Sequence, residues 1–323
     1  MKNIDEPLAA VSEVMLMPKS NDRIIGIDIG SGFIKMLQVS YQDGIEISKW
    51  GLIETPKIDQ EMVAIDDGEL ARSIRECFKY NGFTAKRVSL CLSDPSIIFR
   101  DIRLPEMKDE EIRENVKFEM SEYFTIDPDK YSITYRILGE DESEGRVVLR
   151  VLGVAAPLDL IAKYLRIIRK AGLRPEYVDI SINAYLKAAK ILDGIEDISK
   201  SRGVCIMDYG HSTLTICVLE NGAPYVLRTV DKSWDDDNFD AVAAILTQVM
   251  DYYYSRSYTW HIEKVWVVGG RSLAKELCQY LELQTGAEVK EVTSQLLRVK
   301  YDEGHEFPAS LYFKCLGAAI RED

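Results

Sequence analysis

An internal repeat is the feature that most constrains the fold of this chain. An early segment reads GIDIGSGFIKMLQVSYQDG, and a segment about 180 residues later reads CIMDYGHSTLTICVLENG. Asp28 aligns with Asp208, and Gly30 aligns with Gly210. In each copy a short glycine-containing tip is followed by an apolar run with strand periodicity and then by an Asp-Gly or Asn-Gly hairpin turn. Such a duplication predicts two related α/β units that face one another.

The residue types at the two tips indicate a phosphate-binding site. Hairpin tips rich in Gly and Ser offer unblocked backbone N–H groups and small hydroxyls to an anion. An Asp before each tip suits Mg²⁺, which prefers oxygen ligands, and a Lys in the following strand reaches a phosphate as a point charge. The predicted clamp comprises Asp28, Gly30, Ser31, Gly32, Lys35, Asp208, Gly210, Ser212 and Thr213, with Asp28 and Asp208 as the magnesium ligands, through water.

A third segment, KVWVVGGRS, predicts a strand that ends at Gly269 and Gly270 and a helix that starts near Ser272. Paired glycines at this point let the backbone approach a flat ligand such as a purine ring. The P-loop and the dinucleotide-binding turn are excluded, because both place their glycines before a helix and here the first glycine-rich segment opens a strand. The plainer alternative is that these glycines only form turns.

Composition limits the classes of function. The chain has 323 residues and a net charge of −13, which predicts two compact units and argues against a broad nucleic-acid surface. No run approaches the roughly 20 apolar residues of a membrane span. Acidic residues near the start make an export signal improbable. Six scattered cysteines without a CxxC motif predict reduced, buried thiols, and three histidines lack zinc spacing.

The pattern of apolar runs and turns predicts the domain organisation. Residues 1–22 are an N-terminal extension, 23–198 a first domain with an inserted subdomain at about 88–156, and 199–323 a second domain. The insert is predicted to contain one helix and four strands, namely Met107–Phe124 as the helix and Val88–Leu92, Ile97–Leu104, Tyr131–Leu138 and Arg146–Val154 as the strands.

These three segments, in this order and spacing, resemble the actin-like ATPase superfamily. The stretch VSLCLSDPSIIFRDIRLPEMKDEEIRENVKFEMSEYFTIDP is similar to the small inserted subdomain of PilM-type proteins of type IV pilus assembly. The resemblance covers roughly residues 23–321. It implies an actin-like α/β fold of two duplicated RNase H-like domains, with a small α+β subdomain inserted in the first, and ATP and Mg²⁺ as cofactors.

The resemblance also implies partners and a location. PilM-type proteins are cytoplasmic adaptors at the inner membrane that bind the cytoplasmic N-terminal peptide of PilN, a single-span membrane protein. The peptide docks in a groove between the first large subdomain and the insert, and the complex is coupled to the pilus motor ATPases. This implies a cytoplasmic protein that reaches the inner membrane through its partner, without direct membrane insertion and without nucleic acid.

Two departures from the family pattern imply weak or absent ATP hydrolysis. A short acidic loop between Val230 and Phe239 replaces most of the usual second insert, and Ser181 stands where an acidic residue is common. Three alternatives stay open. One is an FtsA-like or type II secretion L-like scaffold, and another is an actin-like protein that binds a peptide without nucleotide. The third is a small-molecule kinase of the same superfamily, with Asp179 or Asp231 as its general base.

Overall fold

The chain forms two compact units, one made of residues 1–92 and 168–323 and the other of residues 93–167. The structure, a computed structural model, describes residues 23–41, 44–56, 66–143, 146–193, 195, 202–235, 237–256, 261–270, 275–302 and 306–321. The predicted N-terminal extension and Ser272 lie outside the described residues.

The strands and helices alternate along the chain as in other α/β proteins. The strands are β1 (Arg23–Ile29), β2 (Phe33–Tyr41), β3 (Ile45–Glu54), β4 (Arg87–Leu92), β5 (Ile98–Pro105), β6 (Tyr131–Ser143), β7 (Arg146–Pro157), β8 (Arg174–Ile180), β9 (Arg202–Tyr209), β10 (Thr213–Glu220), β11 (Ala223–Asp231), β12 (Lys264–Val268), β13 (Glu288–Glu291) and β14 (Lys300–Tyr301). The helices are α1 (Asp67–Tyr80), α2 (Asp109–Phe124), α3 (Leu158–Lys170), α4 (Ser181–Ala189), α5 (Phe239–Arg256), α6 (Lys275–Thr285) and α7 (Ala309–Ala319).

The larger unit contains two sheets that share the same order of five strands, and the first sheet has β14 as an additional edge strand. The first sheet runs β14-β3-β2-β1-β4-β8 and the second runs β11-β10-β9-β12-β13. In each sheet three antiparallel strands from a double hairpin are followed by two parallel strands. The repeat that the sequence predicted is therefore a repeat of topology. It places β1 and β9, the strands that carry the two aspartates, at equivalent central positions.

Helix α7 packs closely against β1 and α4. A Cβ built on Gly26 of β1 would overlap the carbonyl of Cys315, and a Cβ built on Gly317 of α7 would overlap the carbonyl of Ala184 in α4. Glycine at both contacts lets the backbones approach within a distance that no side chain permits. Helix α7 is thereby fixed against the strand that leads to the first tip.

The smaller unit is a three-stranded antiparallel sheet, β5-β7-β6, covered by α2. Its core contains Ile102, Val116, Met120 and Val151. The sequence placed Val88–Leu92 in this insert, and that assignment is wrong. These residues form β4, which pairs with β1 and β8 in the six-stranded sheet.

Other differences from the sequence prediction are local. Strand β8 was not predicted from the sequence. Strand β6 extends to Ser143, beyond its predicted end at Leu138. The six cysteines are free thiols, and five of them are buried, as predicted. Among the described helices, none combines the length and the apolar character that crossing a membrane requires.

Candidate functional site

The two predicted tips have the same turn structure. In the first, the Gly30 N–H donates to the Phe33 carbonyl at 3.0 Å, and in the second the Gly210 N–H donates to the Thr213 carbonyl at 2.9 Å. Each bond closes the hairpin directly above the buried aspartate of its strand. The glycine amides are therefore used within the turns, and the residues at the exposed ends of the turns remain to meet a ligand.

The two tips lie against each other. The Oγ atoms of Ser31 and Ser212 are 2.7 Å apart, and both side chains are exposed. A Cβ built on Gly32 would lie 2.9 Å from the Cγ atom of His211, so the first tip needs a glycine where the second tip crosses it. The structure thus brings together the two tips, which contain Gly30, Ser31, Gly32, Gly210, Ser212 and Thr213.

Beneath the tips, Lys314 lies between the two aspartates. Its Nζ atom is 3.1 Å from Oδ2 of Asp208 and 3.5 Å from Oδ2 of Asp28. Both carboxylates are buried, and the Lys314 side chain is 17% exposed. Sequence reasoning missed this residue. The available signal was a lone charge in the apolar helix segment LYFKCLGAAI.

Each aspartate also has a partner of its own. Lys35 Nζ donates to Asp28 Oδ2 at 2.9 Å, and the Tyr185 hydroxyl donates to Asp208 Oδ2 at 2.6 Å. Lys35 was predicted to reach a phosphate, but here its ammonium group is paired with Asp28. The second carboxylate oxygen of Asp28, Oδ1, is buried and has no hydrogen-bond partner among the described residues.

Electrostatics keep this cluster charged. Burial acts to raise the pKa of Asp28, but the ammonium groups of Lys314 and Lys35 outweigh it and lower that pKa to about 2. Burial acts to lower the pKa of Lys314, but the carboxylates of Asp208 and Asp28 hold it well above its usual value. The two carboxylates and two ammonium groups sum to zero charge.

A magnesium ion bound directly between the two aspartates does not fit these contacts. Mg²⁺ requires near-octahedral oxygen coordination at roughly 2.0–2.1 Å, from one or two carboxylates, waters and phosphate. An ion bridging Asp28 and Asp208 would compete for the place of the Lys314 ammonium group. Within the part of the chain that the structure describes, no group of three His, Cys, Asp or Glu side chains is arranged to hold a metal ion.

A close backbone contact that the sequence did not reveal explains the first glycine of the pair after β12. Gly269 has φ +100°, and a Cβ there would overlap Oδ1 of Asp208 and lie 2.6 Å from the Tyr209 carbonyl. Gly269 therefore brings the end of β12 against the second tip. Gly270 is exposed, and a Cβ there would make only an ordinary contact, 3.6 Å from Leu311.

The two candidate general bases of the kinase alternative have different surroundings. Asp179 is buried, and its carboxylate contacts Lys187 Nζ at 2.5 Å and accepts from the Ile180 N–H at 2.9 Å. These bonds occupy the carboxylate and remove it as a free base. Asp231 is exposed at the end of β11, opposite Thr213.

Comparison with known proteins identifies the family of the chain. The family model described as type IV pilus assembly protein PilM matches residues 26–231, which include both tips. The chain belongs to this family. Its role is therefore in type IV pilus assembly, and its fold is actin-like. Lys314 lies outside the matched residues.

Solved structures support the same fold. The structure titled PilM-PilN type IV pilus biogenesis complex aligns with a TM-score of 0.74 and 20% identity, covering 92% of this chain and 98% of that one. The ethanolamine utilization protein EutJ from Carboxydothermus hydrogenoformans aligns with a TM-score of 0.55 and 13% identity, covering 97% and 95%. No match was found among curated proteins.

Proposed function

We propose that this PilM family member is an ATP-binding adaptor of the type IV pilus inner-membrane platform, and that it binds the cytoplasmic N-terminal peptide of a PilN-type membrane protein. The observation that carries the nucleotide part is the meeting of two identical turns above two buried carboxylates. Serine hydroxyls on opposing tips and an ammonium group beneath them are donors that suit a phosphate chain.

The Ser31–Ser212 contact suggests how the phosphates enter. A phosphate group between the tips replaces the bond between the two hydroxyls with one bond from each hydroxyl to a phosphate oxygen. Gly270 is exposed and follows β12, the strand whose end lies against the second tip. The sequence predicts that this segment contacts the adenosine. The base and ribose would therefore extend from the tips toward this strand end.

Calorimetric titration with ATP tests this site. The double variant Ser31→Ala/Ser212→Ala should weaken ATP binding by about thirtyfold, because two donors to phosphate are lost at roughly 1 kcal/mol each. Ser255→Ala is the matched control, since Ser255 is exposed on α5 and bonds only its own helix. Unchanged ATP affinity in both Asp28→Asn and Asp208→Asn would show that the clamp is not the binding site.

The partner part of the proposal is supported by similarity to a PilM-PilN complex over nearly the whole chain. Extended peptides bind sheet edges through backbone hydrogen bonds. In the unit of residues 93–167, β6 is an edge strand, and its Ile137 side chain is 46% exposed. We propose this edge as the surface that receives the peptide. The motor ATPases are proposed as further partners of the assembled complex.

Fluorescence anisotropy with a labelled PilN-type N-terminal peptide tests the partner proposal. Ile137→Lys should weaken binding at least tenfold, because a charge on an edge strand opposes strand addition. Leu283→Lys is the control, since Leu283 is equally apolar, 84% exposed, and part of the larger unit. Co-expression with the single-span partner should move the chain to the membrane fraction. A folded chain that binds no peptide with or without ATP would lack the adaptor function.

Two other functions make different predictions in the same assays. A protein that binds the peptide but no nucleotide would show peptide binding in anisotropy and no heat of ATP binding in calorimetry. A small-molecule kinase would transfer phosphate to an added sugar or acetate. The pairing of Asp179 with Lys187 argues against the kinase, because the carboxylate is held in a buried ion pair at 2.5 Å and does not face a substrate hydroxyl.

A further inference from the structure

We propose that Lys314 is a permanent counter-cation of the phosphate site, holding the position between Asp28 and Asp208 that a magnesium ion would take. The site then binds nucleotide phosphates without a divalent metal. The phosphate part rests on the proposed nucleotide function. The exclusion of metal from the two carboxylates is a property of the ligand-free chain and stands separately.

The geometry places the Lys314 ammonium group where an ion bridging the two aspartates would lie. Asp28 and Asp208 come from equivalent strands of the duplicated sheets, and the Lys314 Nζ atom lies within 3.1 Å and 3.5 Å of one oxygen of each. An ammonium group has three donors, so two can be directed to the carboxylates while one remains. The side chain is 17% exposed, and we assign the remaining donor to a phosphate oxygen of the bound ligand.

Charge also disfavours a metal ion at this position. Lys35 and Lys314 already balance Asp28 and Asp208, so the buried cluster carries no net negative charge with which to attract a divalent ion. A metal that displaced Lys314 would leave its ammonium group without a carboxylate in a mostly buried position. Such an unpaired buried charge is strongly unfavourable.

The helix that carries Lys314 is also fixed in place. Helix α7 is held at Gly26 and Gly317 by contacts too close for any side chain. The backbone at residue 314 therefore has little freedom to move away from the aspartates. Only the side chain can swing out, and it would have to leave both of its carboxylate partners to do so.

Manganese binding to the full-length, ligand-free protein tests the metal exclusion without any nucleotide. Electron paramagnetic resonance should show only nonspecific Mn²⁺ binding in the wild type. In Lys314→Met a specific site should appear, with an affinity at least tenfold higher than that of the nonspecific binding. Adding Asp28→Asn to that variant should remove the gain. Lys264→Met is the control, because Lys264 pairs with Glu288 and touches neither aspartate. A wild type that binds Mn²⁺ as tightly as folded Lys314→Met overturns the proposal, as does a folded Lys314→Met without the gain.

Calorimetry on the wild type gives a second test that needs no variant. ATP affinity should agree within about threefold in excess EDTA and in excess Mg²⁺, whereas ATP binding that requires Mg²⁺ overturns the proposal. If Lys314→Met does not fold, the ATP affinities in EDTA and in Mg²⁺ decide whether the site needs a metal. Lys314→Arg keeps the positive charge and should bind no more Mn²⁺ than the wild type. Absence of ATP binding in both conditions removes the nucleotide function, and the Mn²⁺ result still decides whether Lys314 excludes metal.

Discussion

A hydrogen bond joins the Oγ atoms of Ser31 and Ser212, which are 2.7 Å apart, although the two residues are 181 positions apart in the sequence. The bond joins the tips of the two duplicated hairpins, so the proposed phosphate site of the ligand-free chain is closed at its mouth. A ligand that enters between the tips has to separate these two side chains.

Cysteines at these two positions should therefore form a disulfide under mild oxidation. In Ser31→Cys/Ser212→Cys the two sulfur atoms replace oxygens that are already in contact, which suits a disulfide bond. We expect mass spectrometry to show the 31–212 link, and saturating ATP should slow its formation by holding the tips apart. Five of the six native thiols are buried and should not compete. Equal crosslinking rates with and without ATP would contradict phosphate binding between the tips.

Gly269→Ala should be strongly destabilising, and Gly270→Ala should be nearly neutral. At Gly269 the new methyl group would overlap Asp208 and require a strained φ of +100°, at a cost of roughly 1–3 kcal/mol. At Gly270 it would only touch Leu311 at 3.6 Å. Urea unfolding of the two variants measures the difference directly. Similar free energies of unfolding would mean that the end of β12 does not lie against the second tip.

The two tips could be predicted from the sequence, because Asp, Gly and the hairpin turns recur at fixed spacing in both copies. The cation between them could not, because its position depends on where α7 crosses β1. That crossing is set by Gly26 and Gly317, whose close contacts no local pattern reveals. Tyr185 was missed because a tyrosine in an apolar helix is typical of a core residue.

Acid should weaken the fold through Asp28. Its pKa is about 2 in the folded chain against 3.8 unfolded, so its stabilisation is complete above about pH 4 and is lost as the pH falls toward 2. The contribution is roughly 2 kcal/mol, because one pKa unit corresponds to about 1.4 kcal/mol. Urea unfolding between pH 2.5 and about pH 6 should show a smaller loss in Asp28→Asn than in the wild type. Parallel pH profiles would mean that Asp28 is not paired in the folded chain.

ATP turnover should be slower than about 1 per second, below the ordinary range of enzymes. Among the described residues of the site, both aspartates are paired with ammonium groups, and Ser181 at the start of α4 supplies no carboxylate to activate water. Phosphate release from the purified chain measures the rate, and Asp208→Asn should leave the background unchanged. Faster turnover that depends on Asp208 would require a catalytic arrangement different from this one.

The position of Lys314 also affects how the chain folds as it is synthesised. Strand β1 is made first, but its partner helix α7 comes much later, and Cys315 of α7 contacts the Lys35 carbonyl from 280 residues away. At about 5–20 residues per second, a ribosome needs on the order of 15–60 s to add that length of chain. During this interval Asp28 lacks one of its two counter-charges and β1 lacks the helix that covers it. We therefore expect the six-stranded sheet that contains β1 to reach its final packing only after α7 has left the ribosome.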